Sequence, residues 1–224
     1  MLFIAVLLAG ILLGHLTVRP RLRTLNALRT ALADARRLAD HDRLTGLLNR
    51  WAAARLVFHT VEVGRRPTTF ALVDLDHFKT INDGYGYQAG DQLLRITAAR
   101  LTRAVLPRQG FAARLGGDEF LIVLPGTDGD PIGDVLARLA VPAVLHTGDG
   151  PISVVPGGSA GVTVYTGAEP TTFVDLLHEA DIALHHAKHD RGGHRLYAPG
   201  MGMPRNAGRH GPRRRDRHPG GGRA

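Results

Sequence analysis

Four carboxylates in two short segments are the side chains best suited to chemistry in this chain. Asp118 and Glu119 follow Gly116-Gly117, between the apolar runs 110–115 and 120–124. Gly116 and Gly117 can take φ > 0, which predicts a two-residue hairpin turn with Asp118 and Glu119 at its rim. Asp74 and Asp76 close a second strand-like run, 69–74. A Gly-Gly-Asp-Glu hairpin on its own is equally a solvated turn. A second acidic pair ending a separate strand favours a site. Carboxylates from two strand ends can chelate Mg²⁺, a hard ion that keeps oxygen ligands and also binds substrate phosphates. The pattern predicts an enzyme acting on a nucleoside triphosphate.

The elements that must position these residues follow from periodicity. Helices are predicted near 45–63, 91–105, 131–145 and 171–189, and strands at 70–74, 160–165 and 195–197. A hairpin spans 111–124, and a Gly/Pro-rich irregular stretch covers 148–158. Strand, helix, hairpin, helix, strand is the ferredoxin-like βαββαβ pattern of an α+β domain. Residues 1–18 are apolar except for His15 and Thr17. As a helix they reach roughly 27 Å and predict an uncleaved single-pass anchor at the cell membrane, with basic Arg19, Arg21 and Arg23 and the catalytic domain on the cytoplasmic side. Apolar residues then recur every seven positions: Val18, Leu25, Leu32 and Ala39, with Leu28 and Ala35. This is a short a/d seam, read as a dimerising linker helix over 19–40. The domain itself is placed at 41–200, and residues 201–224 are read as a disordered basic tail.

Composition narrows the function classes. The net charge is +8, but residues 201–224 hold seven arginines and one aspartate. The first 200 residues keep 21 basic against 19 acidic side chains, net +2. No specific nucleic-acid partner is expected from so neutral a body. Cysteine is absent, which excludes thiol catalysis and zinc–thiolate sites. Of 28 basic residues only Lys79 and Lys188 are lysine. A compact ammonium at those two places suits phosphate binding. Gly84-x-Gly86-x-x-Ala89 fits a relaxed dinucleotide pattern, but residues 92–117 hold no acid for the ribose. His185 and His189 stand i, i+4 without an intervening glutamate and are read as polar surface.

Several motifs together carry a family resemblance. Gly116-Gly117-Asp118-Glu119-Phe120 resembles the signature of the GGDEF family, the diguanylate cyclases. The opening segment Asp42-Arg43-Leu44-Thr45-Gly46-Leu47-Leu48-Asn49-Arg50 and the segment from Asp74 to Asp83 are similar to two further motifs. Gly90-Asp91, Ser159-Ala160-Gly161-Val162 and the segment from Ala180 to Lys188 complete the order over about 39–197.

The resemblance implies a palm core elaborated as in nucleotide cyclases, and condensation of two GTP into cyclic di-GMP by a homodimer. It implies Mg²⁺ or Mn²⁺ held by Asp74, the Leu75 carbonyl and Asp118, with Asp118 also the base and Glu119 shaping the site. Asn82 and Asp91 would read guanine. Phe78, Lys79, Tyr87, Lys188 and Arg191 would complete the nucleotide site, with Lys79 and Lys188 on phosphate. A catalytically weak or inactive module that binds GTP and acts as a membrane-tethered regulator is the alternative. Three departures stand out. Tyr87 replaces a usual histidine, and Arg191 lies one position early. Pro107 and Gly110 replace the arginine and aspartate of the family's product-inhibition site.

Overall fold

The computed structural model describes residues 2–190 and 192–204, and only the backbone of Leu2 and 5–20. Helix α1 (Leu2–Asp40) leads into a two-residue strand β1 (Leu48–Asn49) and helix α2 (Arg50–Val57), which continues as a π-helical turn, Phe58–Val63. Strand β2 (Thr68–Asp76) is followed by helices α3 (Phe78–Tyr85) and α4 (Tyr87–Val105). Then come β3 (Phe111–Gly116), β4 (Glu119–Pro125), helix α5 (Pro131–Leu139), β5 (Ala143–Thr147) and β6 (Gly150–Val154). Strand β7 (Gly157–Tyr165), helix α6 (Phe173–His189) and β8 (Gly193–Leu196) finish the domain.

The central sheet has the order β1-β3-β4-β2-β7-β8. Its inner pairs, β3–β4, β4–β2 and β2–β7, are antiparallel, and the edge pairs β1–β3 and β7–β8 are parallel. The fold is therefore α+β around a mostly antiparallel sheet. Strand β2 lies at the centre and is covered on both faces, which is why it reads as a near-continuous apolar run. Phe70 and Leu72 pack with Ala53, Val57 and Val61 of the α2 segment and with Leu176 and Leu184 of α6. Ala71, Val73 and Leu75 pack on the other side with Leu93, Leu94 and Leu101 of α4 and Val135 of α5.

Several boundaries differ from expectation for local reasons. The helix expected from residue 45 starts at Arg50. The Thr45 N–H and hydroxyl both donate to Asp42 Oδ1, Gly46 sits at φ +72°, and Asn49 caps the helix by accepting from the Ala52 N–H. The helix expected over 131–145 stops at Leu139, because Pro142 forbids its continuation. Residues 143–154 instead form the β5–β6 hairpin, in which Ala143 and Leu145 are buried while Val144 is exposed. Helix α3 was not anticipated, and α4 begins one turn before Asp91.

The membrane expectation is overturned. Among the described residues no helix is long and apolar enough to cross a membrane. Helix α1 runs without a break from the apolar stretch into Arg19, Arg21 and Arg23. The apolar length, roughly 27 Å, falls short of a hydrocarbon core of about 30 Å. Single-pass localisation and the membrane as a partner fall with it. Most of the expected tail, 205–224, lies outside the described residues.

Candidate active site

The site forms where β2 ends, beside the β3–β4 turn and the C-terminal end of α6. Asp74 pairs across the sheet with Glu119 on β4 and with Ser159 on β7. The turn is displaced by one residue from the expected one. Gly116 pairs with Glu119, so the two turn residues are Gly117 and Asp118, and a register shift at Leu115 accommodates them. Gly117 takes φ +56°, the positive value the turn requires. Asp118 thus sits in the turn itself. Its carbonyl accepts from the Leu75 N–H at 3.3 Å, which ties the turn to the end of β2. Asp74, Leu75 and Asp118 are therefore brought together at one point of the sheet end.

Two side chains that the sequence reading passed over hold this turn in place. Arg114 Nε and Nη2 both donate to the Gly117 carbonyl, at 3.0 and 2.7 Å. Arg114 Nη1 reaches Asp42 Oδ1 at 3.0 Å. Burial works to raise the Asp42 pKa, but hydrogen bonds from Thr45 and from Arg114 outweigh it and hold the carboxyl below its ordinary value. Asp42 and Arg114 stood within or beside quoted motifs. The available signal was an arginine two residues before a glycine turn, with a distant acid to neutralise it. Ser159 was likewise missed as a partner: its hydroxyl donates to Asp76 Oδ1 at 2.7 Å.

Asp74 lies partly buried in the site. Its side chain is 14% exposed, and Lys188 Nζ lies 2.7 Å from its Oδ1. Burial raises its pKa above the ordinary 3.8, Lys188 works against that, and Asp118 and Asp76 add to it. Lys188, expected on phosphate, thus rests on a carboxylate. Lys79 does the same: it pairs with Asp83, four residues on, and its side chain is 86% exposed.

The remaining predicted residues divide. Asn82 and Gly90-Asp91 meet where α3 packs on α4. A Cβ at Gly90 would fall 1.9 Å from Asn82 Oδ1. That oxygen is buried and accepts no hydrogen bond from any described residue, an acceptor in search of a donor. Asp91 is half-buried in the second turn of α4. Phe78 packs against the sheet core. Tyr87 is 82% exposed and is not drawn into the cluster. Arg191 lies outside the described residues.

The donor set suits a hard divalent cation. Asp74, Asp118 and the Leu75 carbonyl offer only oxygen. Among the described residues no group of three or more histidine or carboxylate side chains assembles for a metal. That is compatible with Mg²⁺, which is usually held by one or two carboxylates together with substrate phosphates. The Lys188 ammonium on Asp74 shows that the carboxylate already attracts a cation.

Fold and site together define a class: α+β domains with a mostly antiparallel sheet and an acidic, oxygen-only site at one end of it. The profile described as "Diguanylate cyclase, GGDEF domain" matches residues 39–194, and the chain belongs to the GGDEF family. It is 39% identical over 170 residues to the diguanylate cyclase DgcP of Pseudomonas aeruginosa, a match that covers 72% of this chain and 24% of DgcP. It is 35% identical over 172 residues to the cyclic di-GMP phosphodiesterase NbdA of the same organism, over 73% of this chain and 21% of NbdA. The chain spans less than a quarter of the length of these two relatives. The structure is similar to that of the coiled coil and GGDEF domain of DgcB from Caulobacter crescentus in complex with c-di-GMP. The TM-score is 0.68 at 28% identity, covering 82% of this chain and 99% of that one.

Proposed function

We propose that this protein is a diguanylate cyclase, condensing two GTP into cyclic di-GMP with release of two pyrophosphates. The observation that carries the reading is the joining of Asp74 and Asp118 at the sheet end by the Leu75 N–H to Asp118 carbonyl hydrogen bond. Asp74, the Leu75 carbonyl and Asp118 would hold Mg²⁺ or Mn²⁺, which when bound neutralises triphosphate charge and makes a 3′-hydroxyl more acidic. Asp118 accepts the proton of the attacking 3′-hydroxyl. Lys79 and Lys188 leave their carboxylate partners to bind phosphate. Asn82 and Asp91 bind guanine: a carboxylate accepts from both N1–H and the exocyclic amine, which adenine does not present together. Each chain holds one GTP, so two chains must face each other to close the cyclic product.

A second reading, a GTP-binding module with little turnover, is favoured by one observation. Both candidate phosphate lysines are paired with carboxylates, so the phosphate grip must be assembled by exchange. Incubating the full chain with GTP and Mg²⁺ and separating the nucleotides chromatographically decides between the two. Cyclic di-GMP and pyrophosphate are expected. Unconsumed GTP that nevertheless co-elutes with the protein would establish the second reading.

A further inference from the structure

Lys188 occupies an unusual position. Its ammonium sits 2.7 Å from Asp74 Oδ1, on the carboxylate best placed to hold a divalent ion. The pair is not a loose surface contact: the Asp74 side chain is 14% exposed and that of Lys188 32%. Asp118 and Asp76 both stand close enough to push electrostatically on Asp74. A half-buried carboxylate cannot be left uncompensated. Without a nucleotide, Lys188 supplies the compensation. The lysine and a metal ion would then claim the same oxygen.

We infer that Lys188 is a resident counter-cation that keeps the divalent metal off Asp74 until a triphosphate draws the lysine away. Metal and nucleotide therefore enter together, and the site resists loading by metal alone. This rests on the cyclase reading, since it takes Asp74 as a metal ligand, and it adds an order of events to it. The physical basis is exchange of partners. A triphosphate carries enough negative charge to hold an ammonium at its own oxygens. Once Lys188 moves there, the charge it leaves on Asp74 is matched by the divalent ion. Metal and nucleotide affinities are then coupled, each strengthening the other. Lys188 is on the last turn of α6 and carries its ammonium on a flexible four-carbon stem, so the charge can move without displacing the helix.

The test measures metal, not turnover. Free Mn²⁺ is followed by electron paramagnetic resonance as it is titrated into the nucleotide-free full chain, as wild type, Lys188→Met and Lys188→Arg. Removing a unit charge beside the ligand should tighten Mn²⁺ binding by about tenfold or more in Lys188→Met. Lys188→Arg should stay close to wild type. With a saturating non-hydrolysable GTP analogue the difference between wild type and Lys188→Met should close. Equal Mn²⁺ affinity in all three nucleotide-free proteins, with Mn²⁺ still recruited by the analogue, overturns this inference and leaves the cyclase reading standing. No Mn²⁺ recruitment in any protein, even with the analogue, overturns both. A second measurement does not depend on the folding of Lys188→Met. Lys79 and Lys188 are the only lysines, so ¹⁵N-lysine labelling gives two ammonium signals. The Lys188 signal should shift on Asp74→Asn substitution, and in wild type on adding Mg²⁺ with the analogue but not on adding Mg²⁺ alone. A Lys188 signal indifferent to Asp74→Asn shows that the pair does not exist in solution and overturns the inference.

Discussion

Burial raises the pKa of both Asp74 and Asp42, but hydrogen bonds reverse the net shift at Asp42, and stability should follow the two net shifts. The folded pKa of Asp74 is raised, chiefly by burial. Its ionised form is therefore a cost to folding at neutral pH. That cost is relieved as pH falls through the raised pKa toward the unfolded value of 3.8. Asp74→Asn should accordingly melt no lower than wild type at neutral pH and lose the relief on acidification, while cyclic di-GMP synthesis falls to background. Thermal melts across the acidic range beside a product assay check this; a wild-type rate would remove Asp74 from the site. Asp42 behaves the other way. Burial opposes it, but Thr45 and Arg114 hold its pKa down. Its stabilisation is present above 3.8 and is lost as pH falls through the lowered value. Arg114→Ala strips Asp42 of its guanidinium and leaves the Gly117 carbonyl without two donors. A loss of about 3 kcal/mol is expected in urea unfolding. Synthesis should fall further than stability alone requires, because the turn carrying Asp118 is loosened. Wild-type values of both would show that Arg114 does not hold the turn.

At the scale of elements, β7 and α6 pack backbone against backbone at Gly161. A Cβ at Gly161 would fall 1.9 Å from the Ala180 carbonyl oxygen and 2.2 Å from the Leu184 nitrogen. Both are helix backbone, which cannot swing aside as a side chain can. Gly161→Ala must therefore push α6, and Lys188 with it, off the sheet. The expected cost is at the upper end of overpacking, about 3 kcal/mol, read from the urea midpoint. A midpoint unchanged from wild type would show that α6 adjusts freely. The same scale shows what a sequence can disclose. Strand β2 was plain because burial on both faces makes it uniformly apolar. The carboxylates of the site were plain because Asp74 and Asp118 interrupt apolar runs. Helix α3 was hidden because it is only eight residues long and contains Asn82-Asp83-Gly84, which reads as a turn. The β5–β6 hairpin was hidden because its glycines and prolines read as irregular chain, though Pro142 marks the end of α5. The turn register escaped because it depends on a shift at Leu115, and the partner of Lys188 because Asp74–Lys188 joins residues far apart in the chain. Spacing identifies which residues belong to a site and leaves their partners to the packing.

At the scale of the molecule, one feature lies outside the packed domain. The stretch of α1 from residue 21 to 39 is exposed throughout, including Leu22, Leu25, Leu28 and Leu32. The helix is joined to the domain at its end, where Asn49 Nδ2 donates to the Ala39 carbonyl and Arg55 pairs with Asp40 at 2.8 Å. A helix with leucines on a seven-residue repeat and no cover among the described residues is suited to a second copy of itself. The join to α2 would then fix how two domains face each other. Under the proposed reaction this matters for rate: each half-site is incomplete alone, and tethering raises the effective concentration of the other half. Leu25→Glu with Leu32→Glu places charges in the seam without touching the domain. The double variant should sediment as a monomer and bind GTP as wild type does. At micromolar protein its rate of cyclic di-GMP synthesis per chain should drop by about tenfold or more and rise with protein concentration. Sedimentation velocity and initial rates over a dilution series test this. A monomeric variant with an undiminished, concentration-independent rate would show that the helix does not bring the half-sites together.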